Sequence, residues 1–300
     1  EVTAVPFSYD YTFEANQAEG ALKIELTVKG DQGTMATSEV NITLTKPEPT
    51  PEPGEGEMVD SRDNHVYKTV EIGEQTWMAE NLAYLPKVNK PAAAATCEGE
   101  PLYFVYDYDG EDVNAAKNTE TYKTYGVLYN WYAAMNKENE EGKDADAVPS
   151  GVQGICPSGW HLPSKAEWKI LENFVAEQLP PVEGDVWEDD FGDKHSDPNC
   201  KNVWSALAGL EGWGASGNSD MNPDLANGPR NTYGLTVIPS GQCYQTGSFG
   251  WSESGADFWT TEMQSQGAGN ITFSNNSYGI TYSKYGITPK RGFPIRCIKD

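Results

Sequence analysis

The segment GICPSGWHLPSKAEW, residues 154–168, carries the strongest local structure signal in this 300-residue chain. Pro163 cannot donate a ladder hydrogen bond, so it ends the extended segment before it. Ser164 and Glu167 have the S-x-x-E spacing of a capping box, which satisfies free backbone N–H groups where a helix begins. Apolar side chains then follow at helical spacing and predict a helix over 165–179 with one buried face. They are Trp168, Leu171, Val175 and Leu179.

Around this segment, residues 58–300 mix helical and strand patterns. A hairpin is predicted at 68–72 and 76–80, and further helices are predicted at 127–136 and 203–210. Short strands separated by Gly, Ser and Asn are predicted at 235–243, 256–262, 269–274, 279–284 and 294–298. Four tryptophans at apolar-periodic positions are expected in the core: Trp77, Trp131, Trp160 and Trp168. The order of hairpin, helices and then strands predicts an α+β fold.

A proline-rich linker divides the chain. The sequence KPEPTPEPGEGE at 46–57 alternates prolines with glutamates, which favours an extended, solvated spacer; the alternative is a surface loop inside one domain. Segments of period-two alternation precede it and predict three antiparallel strands, at 7–14, 21–28 and 39–44. We therefore expect a short β module at 1–45, the linker at 46–57 and one domain at 58–300.

The N-terminal strands resemble the C-terminal half of an immunoglobulin-like sandwich module. A complete sandwich has about seven strands over roughly 100 residues. The resemblance therefore leaves two alternatives open. Either the module is truncated here, or its strands dock on another partner.

Composition and charge exclude several classes of protein. The chain has 21 Lys and Arg against 45 Asp and Glu, a net charge of −24. Such a polyanion repels phosphate backbones and anionic lipid, so we expect no nucleic-acid partner. No apolar run approaches the roughly 20 residues that span a bilayer, so no transmembrane segment is expected. The chain opens at Glu1 without a basic and apolar leader, so we take any export signal to be removed or outside this sequence.

Four motifs in a fixed order carry a resemblance to a known family. They are QTWMAENL at 75–82, YGVLYNW at 125–131, the segment at 154–168, and Arg296-Cys297. In this order they resemble the Fibrobacter succinogenes major paralogous domain, a family of exported bacterial surface proteins, over residues 58–300. The resemblance implies an extracellular or cell-surface location. Attachment through a lipid anchor, in a segment not present here, is compatible with it.

A second resemblance concerns the fold. The run at 162–168, together with Gly292-Phe293 followed by Arg296, is similar to formylglycine-generating-enzyme-like and C-type-lectin-like domains. It implies a C-type-lectin-like domain, in which a helix packs on a twisted, loop-rich sheet and the two termini lie close together. His161 lies between Trp160 and Leu162, and we expect it to be a structural imidazole held by hydrogen bonds and not a base or a ligand.

The five cysteines contain no CxxC pair, which counts against zinc and thioredoxin-like chemistry. The family positions of Cys156 and Cys297 imply a disulfide between them, in a fold that brings its ends together. A disulfide that closes the long loop between these two cysteines stabilises the folded state by roughly 4 to 5 kcal/mol in the chain-entropy model. A second pair, Cys200 with Cys243, is also compatible and leaves Cys97 over. Four cysteines can pair in three different ways, so the choice of Cys156 with Cys297 rests on the resemblance.

Motifs for catalysis and for a cofactor are absent from the sequence. There is no GxSxG, HExxH or GxxxxGK[ST], so we expect no enzyme and no cofactor. Calcium is the one exception, because Asp220, Asn222 and Asp224 offer oxygen ligands at alternate positions, the last two in an N-P-D run. C-type lectins use a similar E-P-N or Q-P-D loop followed by W-N-D, and that second motif is missing. The alternative for these residues is a polar turn.

Long loops at 184–232 and 244–255 are rich in Trp, Asn, Asp, Gly and Ser. Indole rings flanked by amides suit sugars, which are apolar on one face and hydroxylated at the rim. The ligand-binding candidates are therefore Trp187, Trp213 and Trp251, unless these rings only pin the loops.

The first functional expectation is a non-enzymatic cell-surface binding or adhesion protein that recognises a glycan or a protein. The second is a structural subunit of a surface appendage, because unpaired strand edges seek partners. The third is an enzyme of the formylglycine-generating type, whose cysteine chemistry would fall to Cys243.

Overall fold

The computed structural model describes residues 20–29, 35–44, 52–136, 144, 146–179, 187–188, 194–195, 200–214, 230–275 and 279–300. The chain separates into two compact units, Glu1–Thr50 and Pro51–Asp300, so the boundary falls within the proline-rich stretch. The architecture is mixed α+β, with mostly sheet and few helices.

The first unit contains an antiparallel pair of ten-residue strands, β1 (Gly20–Lys29) and β2 (Met35–Leu44). Their register is regular from Gly20 opposite Leu44 to Lys29 opposite Met35. The two predicted strands at 21–28 and 39–44 are thereby confirmed as a pair. The third, at 7–14, lies outside the described residues.

One five-stranded sheet of the second unit joins the beginning of the domain to its end. Its strand order is β3-β4-β5-β16-β8. The strands are β3 (Glu57–Asp60), β4 (His65–Ile72), β5 (Gln75–Met78), β8 (Trp160–His161) and β16 (Ile298–Lys299). The predicted β4–β5 hairpin is confirmed, with its turn at Gly73 in the left-handed region at φ 64°. Ile298 pairs with both Trp77 and His161, so β16 lies between β5 and β8.

The second five-stranded sheet has the order β12-β11-β13-β14-β15. Its strands are β11 (Ser240–Cys243), β12 (Phe249–Ser252), β13 (Gly255–Gln264), β14 (Gly267–Ser274) and β15 (Gly279–Tyr282). All its neighbours are antiparallel except β11 and β13, which meet in parallel at Gly241 and Ala256. Two short pairs are the remaining strands among the described residues of the second unit. They are β6 (Tyr103–Phe104) with β7 (Leu128–Tyr129), and β9 (Trp187–Glu188) with β10 (Lys194–His195).

The helix predicted after Pro163 is confirmed as α5 (Lys165–Gln178). The capping box is formed: the Glu167 backbone N–H donates to Ser164 Oγ over 3.3 Å, and the Ser164 N–H donates to Glu167 Oε2 over 2.8 Å. Trp168, Leu171 and Val175 are buried on one face as expected. The other helices are α1 (Ala93–Thr96), α2 (Val113–Lys117), α3 (Glu120–Tyr125), α4 (Trp131–Ala134) and α6 (Cys200–Leu207).

The helix predicted over 127–136 is wrong in its first half. Leu128 and Tyr129 form β7 and pair with β6, and only Trp131–Ala134 is helical. Asn130 separates the two elements, since its side chain accepts from the Ala133 N–H and caps α4. Strand pairing with a distant part of the chain has overridden the helical spacing of the apolar residues. The helix predicted at 203–210 also lies earlier, at 200–207.

Two large clusters of buried apolar side chains form the core of the second unit. One lies around Trp131, Trp160 and Trp259, and the other lies around Trp77, Trp168 and Phe258. The four tryptophans predicted in the core are therefore confirmed there. The disulfide between Cys156 and Cys297 lies within the first cluster, with a Cα–Cα distance of 5.9 Å.

Candidate functional site

Alternation along β13 and β14 gives the second sheet two unlike faces. Ala256, Phe258, Ile271 and Phe273 point to one side and belong to the core cluster of Trp168. The residues between them point to the other side, because successive side chains of a strand alternate between faces. Asp257 pairs with Thr272, and Asn270 pairs with Trp259, so three polar side chains lie together on this second side.

Asp257 lies at the centre of these polar groups and is only 5% exposed. Its Oδ1 accepts hydrogen bonds from Thr272 Oγ1 and from Asn270 Nδ2, the latter over 2.9 Å. Its Oδ2 has a longer contact, 3.4 Å, from Gln242 Nε2 on β11. Burial raises the pKa of Asp257 to about 6, although the bond from Thr272, the charge of Arg291 and the bond from Asn270 act in the opposite direction.

Arg291 is the cation beside this carboxylate. Its Nη1 donates to Gln242 Oε1 over 2.9 Å, and its Nε donates to Gln245 Oε1 over 2.8 Å. The guanidinium also lies 5.5 Å from the centre of the Tyr244 ring. Two amides and one aromatic ring therefore fix the position of a half-buried positive charge.

Two aromatic rings lie on the polar side of the sheet because glycines leave room for them. A Cβ at Gly250 would be 2.6 Å from Tyr244 Cε2, and a Cβ at Gly255 would be 2.9 Å from Trp251 Cη2. Gly250 pairs with Gln242, and Gly255 lies two residues before Asp257, so both missing side chains would point to the side of the carboxylate. Trp251 has φ 70°, a left-handed conformation that bulky residues rarely adopt.

We use the name polar face for this surface of the second sheet. It is defined by Gln242, Tyr244, Trp251, Asp257, Asn270, Thr272 and Arg291. Thr272, Tyr244, Trp251 and Arg291 are half-buried, whereas Gln242, Asp257 and Asn270 are nearly covered. The polar face thus combines hydrogen-bonding groups with aromatic rings, a combination found in binding sites for small polar ligands.

Comparison with known proteins identifies the family. The family described as the Fibrobacter succinogenes major domain matches residues 70–299. The chain belongs to this family. No curated protein and no solved structure gives a significant match. Among the described residues, no helix is both long and apolar enough to cross a membrane.

Residues in the motifs that resemble this major-domain family stabilise the fold through buried hydrogen bonds. The Arg296 guanidinium is buried and donates from Nε to Asn81 Oδ1 over 2.8 Å, from Nη1 to the Leu235 carbonyl over 2.6 Å, and from Nη2 to the Thr236 carbonyl over 2.8 Å. Burial lowers the pKa of Arg296 to about 9. The family motifs at 75–82 and 296–297 thereby hold the start and end of the domain together.

His161 is likewise held between two carboxylates. Its Nε2 lies 2.7 Å from Glu167 Oε1, and its Nδ1 lies 2.7 Å from Asp300 Oδ1. Burial lowers the pKa of His161, but the two hydrogen bonds and charges outweigh it, so the pKa is raised. The prediction of a hydrogen-bonded structural imidazole agrees with this arrangement.

The three predicted loop tryptophans are in different environments. Trp251 lies on the polar face. Trp213 is half-buried against Trp204, with ring centres 4.9 Å apart, so its ring pins the chain to the core cluster. Trp187 is the first residue of β9, where the structure describes the backbone alone.

The predicted calcium ligands Asp220, Asn222 and Asp224 also lie outside the described residues. Within the described part of the chain, no group of three or more His, Cys, Asp or Glu side chains could hold a metal ion.

The remaining cysteines correct one expectation. Cys243 is a free, buried thiol, so the second pair with Cys200 is not formed. Cys97 is also free and buried, in agreement with its being left over. Burial raises the pKa of Cys243 to about 12, so this thiol is almost entirely protonated at neutral pH.

Sequence reasoning found one residue of the polar face, Trp251, and missed the other six: Gln242, Tyr244, Asp257, Asn270, Thr272 and Arg291. A signal was available in GADFWT at 255–260, where an aspartate stands between two residues of a predicted buried strand. A charged residue at such a position is rarely buried without partners. Asn270 and Thr272 alternate with apolar residues in the next predicted strand, and the same argument applies to them.

Proposed function

We propose that this chain is a non-enzymatic, exported cell-surface protein that binds a glycan on the polar face. The observation that supports it best is the combination of Tyr244 and Trp251 with the hydrogen-bonding groups of Gln242, Asp257 and Asn270 on one surface. Sugars have apolar ring faces and hydroxylated rims, and such a mixed surface complements both. The disulfide between Cys156 and Cys297 is consistent with export, because disulfides persist in oxidising compartments.

The proposal takes the second unit to have a C-type-lectin-like fold. Two observations support this: α5 packs on the second sheet, and strands from both ends of the domain share the first sheet. We also propose a binding protein and not an enzyme, for a reason that concerns one cysteine. The cysteine that a formylglycine-generating enzyme would require, Cys243, is buried with a raised pKa and therefore poorly suited to attack a substrate.

A glycan array tests the proposal. We expect the protein to bind a defined set of glycans, and the double variant Tyr244→Ala/Trp251→Ala to lose that binding while remaining folded. Tyr285→Ala is the matched control, since Tyr285 is 43% exposed and contacts the β13–β14 turn at Gln266, the far end of that hairpin from Gly255. Equal binding by the double variant and the control would contradict the proposal.

An assembly role is the second candidate, and β1 and β2 favour it. Among the described residues these strands pair only with each other, and an isolated two-stranded hairpin is marginally stable in water. Such edges can pair with a strand of another subunit. Size-exclusion chromatography of the full chain over a range of concentrations tests this role. A constant monomer mass would count against self-assembly.

A further inference from the structure

We infer that His161, Glu167 and Asp300 form a pH-sensitive latch on β16. When the imidazole carries two protons it binds both carboxylates, and when it loses one proton it keeps Glu167 and releases Asp300. The three residues belong to separate elements, because His161 lies in β8, Glu167 in the first turn of α5, and Asp300 directly after β16. The latch is independent of glycan binding and adds a conformational response to pH.

The contacts of the ring require two protons on it. His161 Nε2 lies 2.7 Å from Glu167 Oε1 and Nδ1 lies 2.7 Å from Asp300 Oδ1, so both ring nitrogens face a carboxylate oxygen. An ionised carboxylate only accepts hydrogen bonds, and a neutral imidazole has a single N–H donor. Two hydrogen bonds to two ionised carboxylates therefore need a proton on each nitrogen, which makes the closed ring an imidazolium.

The charges around the ring stabilise this doubly protonated state. Burial lowers the pKa of His161, but the hydrogen bonds and charges of Glu167 and Asp300 outweigh burial, so the pKa is raised above its ordinary 6.5. The stability that the ring contributes is therefore complete below pH 6.5 and is lost as the pH rises through the pKa of the folded state. The latch is closed at low pH and opens at high pH.

The other charged side chains of the neighbouring elements face away from the ring. His161 pairs with Ile298, so alternation along β16 places Lys299 on the other side of the sheet. Glu177 is exposed in the last turn of α5. Three charged residues of α5 lie against the Tyr282 ring or its hydroxyl: Lys165, Lys169 and Glu172. β5, the other neighbour of β16, contains no charged residue.

Burial decides which carboxylate keeps the last N–H. The side chain of Glu167 is 2% exposed, whereas that of Asp300 is 62% exposed. Ser164 bonds to Glu167 Oε2, so among the described residues His161 Nε2 is the one donor to Oε1. Water can replace the donor at Asp300 but not at Glu167, and a buried carboxylate oxygen without a donor is costly. The neutral ring therefore holds its proton on Nε2.

Release of Asp300 loosens one end of a very short strand. β16 pairs with β5 through Ile298 alone and with β8 through Ile298 and Lys299. Beyond them, the Asp300 backbone N–H donates to the Gly159 carbonyl over 3.1 Å. The disulfide of Cys297 fixes the chain immediately before β16. Opening is therefore confined to the residues that follow the disulfide.

The first test determines the protonation of the ring by NMR. The full chain carries ¹⁵N-labelled histidine, its spectra are recorded between pH 5 and pH 9, and His161→Gln assigns the signals. We expect both His161 nitrogens to be protonated at pH 6, and the Nε2–H tautomer to replace this form as the pH rises. A ring with one proton at pH 6, or an Nδ1–H tautomer at high pH, would overturn the latch.

Asp300→Asn tests the contact that is released. This variant should shift the titration of His161 to lower pH and leave the high-pH tautomer unchanged. Asp109→Asn is the matched control, because Asp109 is an exposed aspartate that does not act on the ring. The control should titrate like wild type. An equal shift in both variants, or a shift in neither, would contradict the role of Asp300.

Hydrogen exchange of the wild type measures the opening itself. We expect the protection factor of the Asp300 amide to fall by about tenfold as the ring loses its proton, as for local opening of a strand end. The Met78 amide is the internal control, because it donates to the Cys297 carbonyl over 3.0 Å on the near side of the disulfide. Its protection should not change. Constant protection at Asp300 while the ring titrates would show that no latch opens.

Discussion

The two faces of the second sheet are built from alternate residues of the same strands, yet they serve different ends. On one face Phe258 and Phe273 lie 5.6 and 6.0 Å from the Trp168 ring, and α5 covers them. On the other face Asp257 and Asn270 are buried with hydrogen-bonding capacity left over. Burial of apolar surface stabilises a fold, whereas burial of under-satisfied polar groups opposes it. The comparison therefore assigns stability to the apolar face, and the function proposed above assigns recognition to the polar face.

The largest expected effect belongs to the apolar face. Trp168→Ala should destabilise the protein by about 3 to 5 kcal/mol, because a fully buried aromatic is removed and a cavity remains. Urea unfolding followed by far-UV circular dichroism measures this change. A midpoint close to that of wild type would show that the apolar face does not carry the stability assigned to it.

On the polar face the expected change in stability has the opposite sign. The pKa of Asp257 is about 6 in the folded protein against an ordinary 3.8, so the folded state retains a proton between these pH values. Stability of the wild type therefore falls as the pH rises from about 4 to about 6 and stays lowered above that range. Asp257→Asn removes this loss and should stabilise the protein at pH 7 by on the order of 3 kcal/mol.

Unfolding curves between pH 4 and pH 8 check that prediction. The difference between Asp257→Asn and wild type should be small at pH 4 and largest above pH 6. The same variant is expected to lose ligand, which would place stability and binding in opposition at one residue. A variant that is less stable than wild type at every pH would contradict this account.

How much of the two faces can be predicted from sequence depends on how local their causes are. Ser164 and Glu167 are three residues apart, and the capping box formed as expected. The apolar alternation of β13 and β14 also predicted both strands. The apolar face thus follows from patterns that lie within single segments.

The polar face depends on contacts between distant segments. Gln242 contacts Asp257 because β11 pairs with β13, whereas β12 lies on the other side of β11. Arg291 donates a hydrogen bond to Gln242 although the two residues are 49 positions apart in the sequence. No local spacing encodes these pairings. The wrong helix at 127–136 has the same physical cause, since β7 pairs with β6 from another part of the chain. Contacts between distant segments also explain why two predicted loop tryptophans lie in different places, Trp213 against the core and Trp251 on the polar face.

A third prediction separates binding from stability on the polar face itself. Trp251→Ala should weaken glycan binding by about 1 to 3 kcal/mol, roughly 5-fold to 150-fold, because a stacking ring is lost from the contact. The melting temperature should change by no more than about two degrees, since the ring is half-buried and outside both large core clusters. Calorimetric titration and a melting curve on the same sample test both statements. Loss of binding through unfolding would place Trp251 with the core.

The smallest expected effect is the pH dependence of binding. If the ionised carboxylate of Asp257 accepts a ligand hydroxyl, affinity should fall as the pH drops below about 6, because protonation occupies that acceptor. About one pH unit below the pKa, only a tenth of the molecules are ionised, so binding at pH 5 should be roughly tenfold weaker than at pH 7. Arg291 is the one charged group that the described residues place beside Asp257. A neutral sugar does not titrate, so the whole change is assigned to the protein. Asp257→Asn should show weak binding that is independent of pH, and an unaltered pH profile in that variant would move the titrating group away from the polar face.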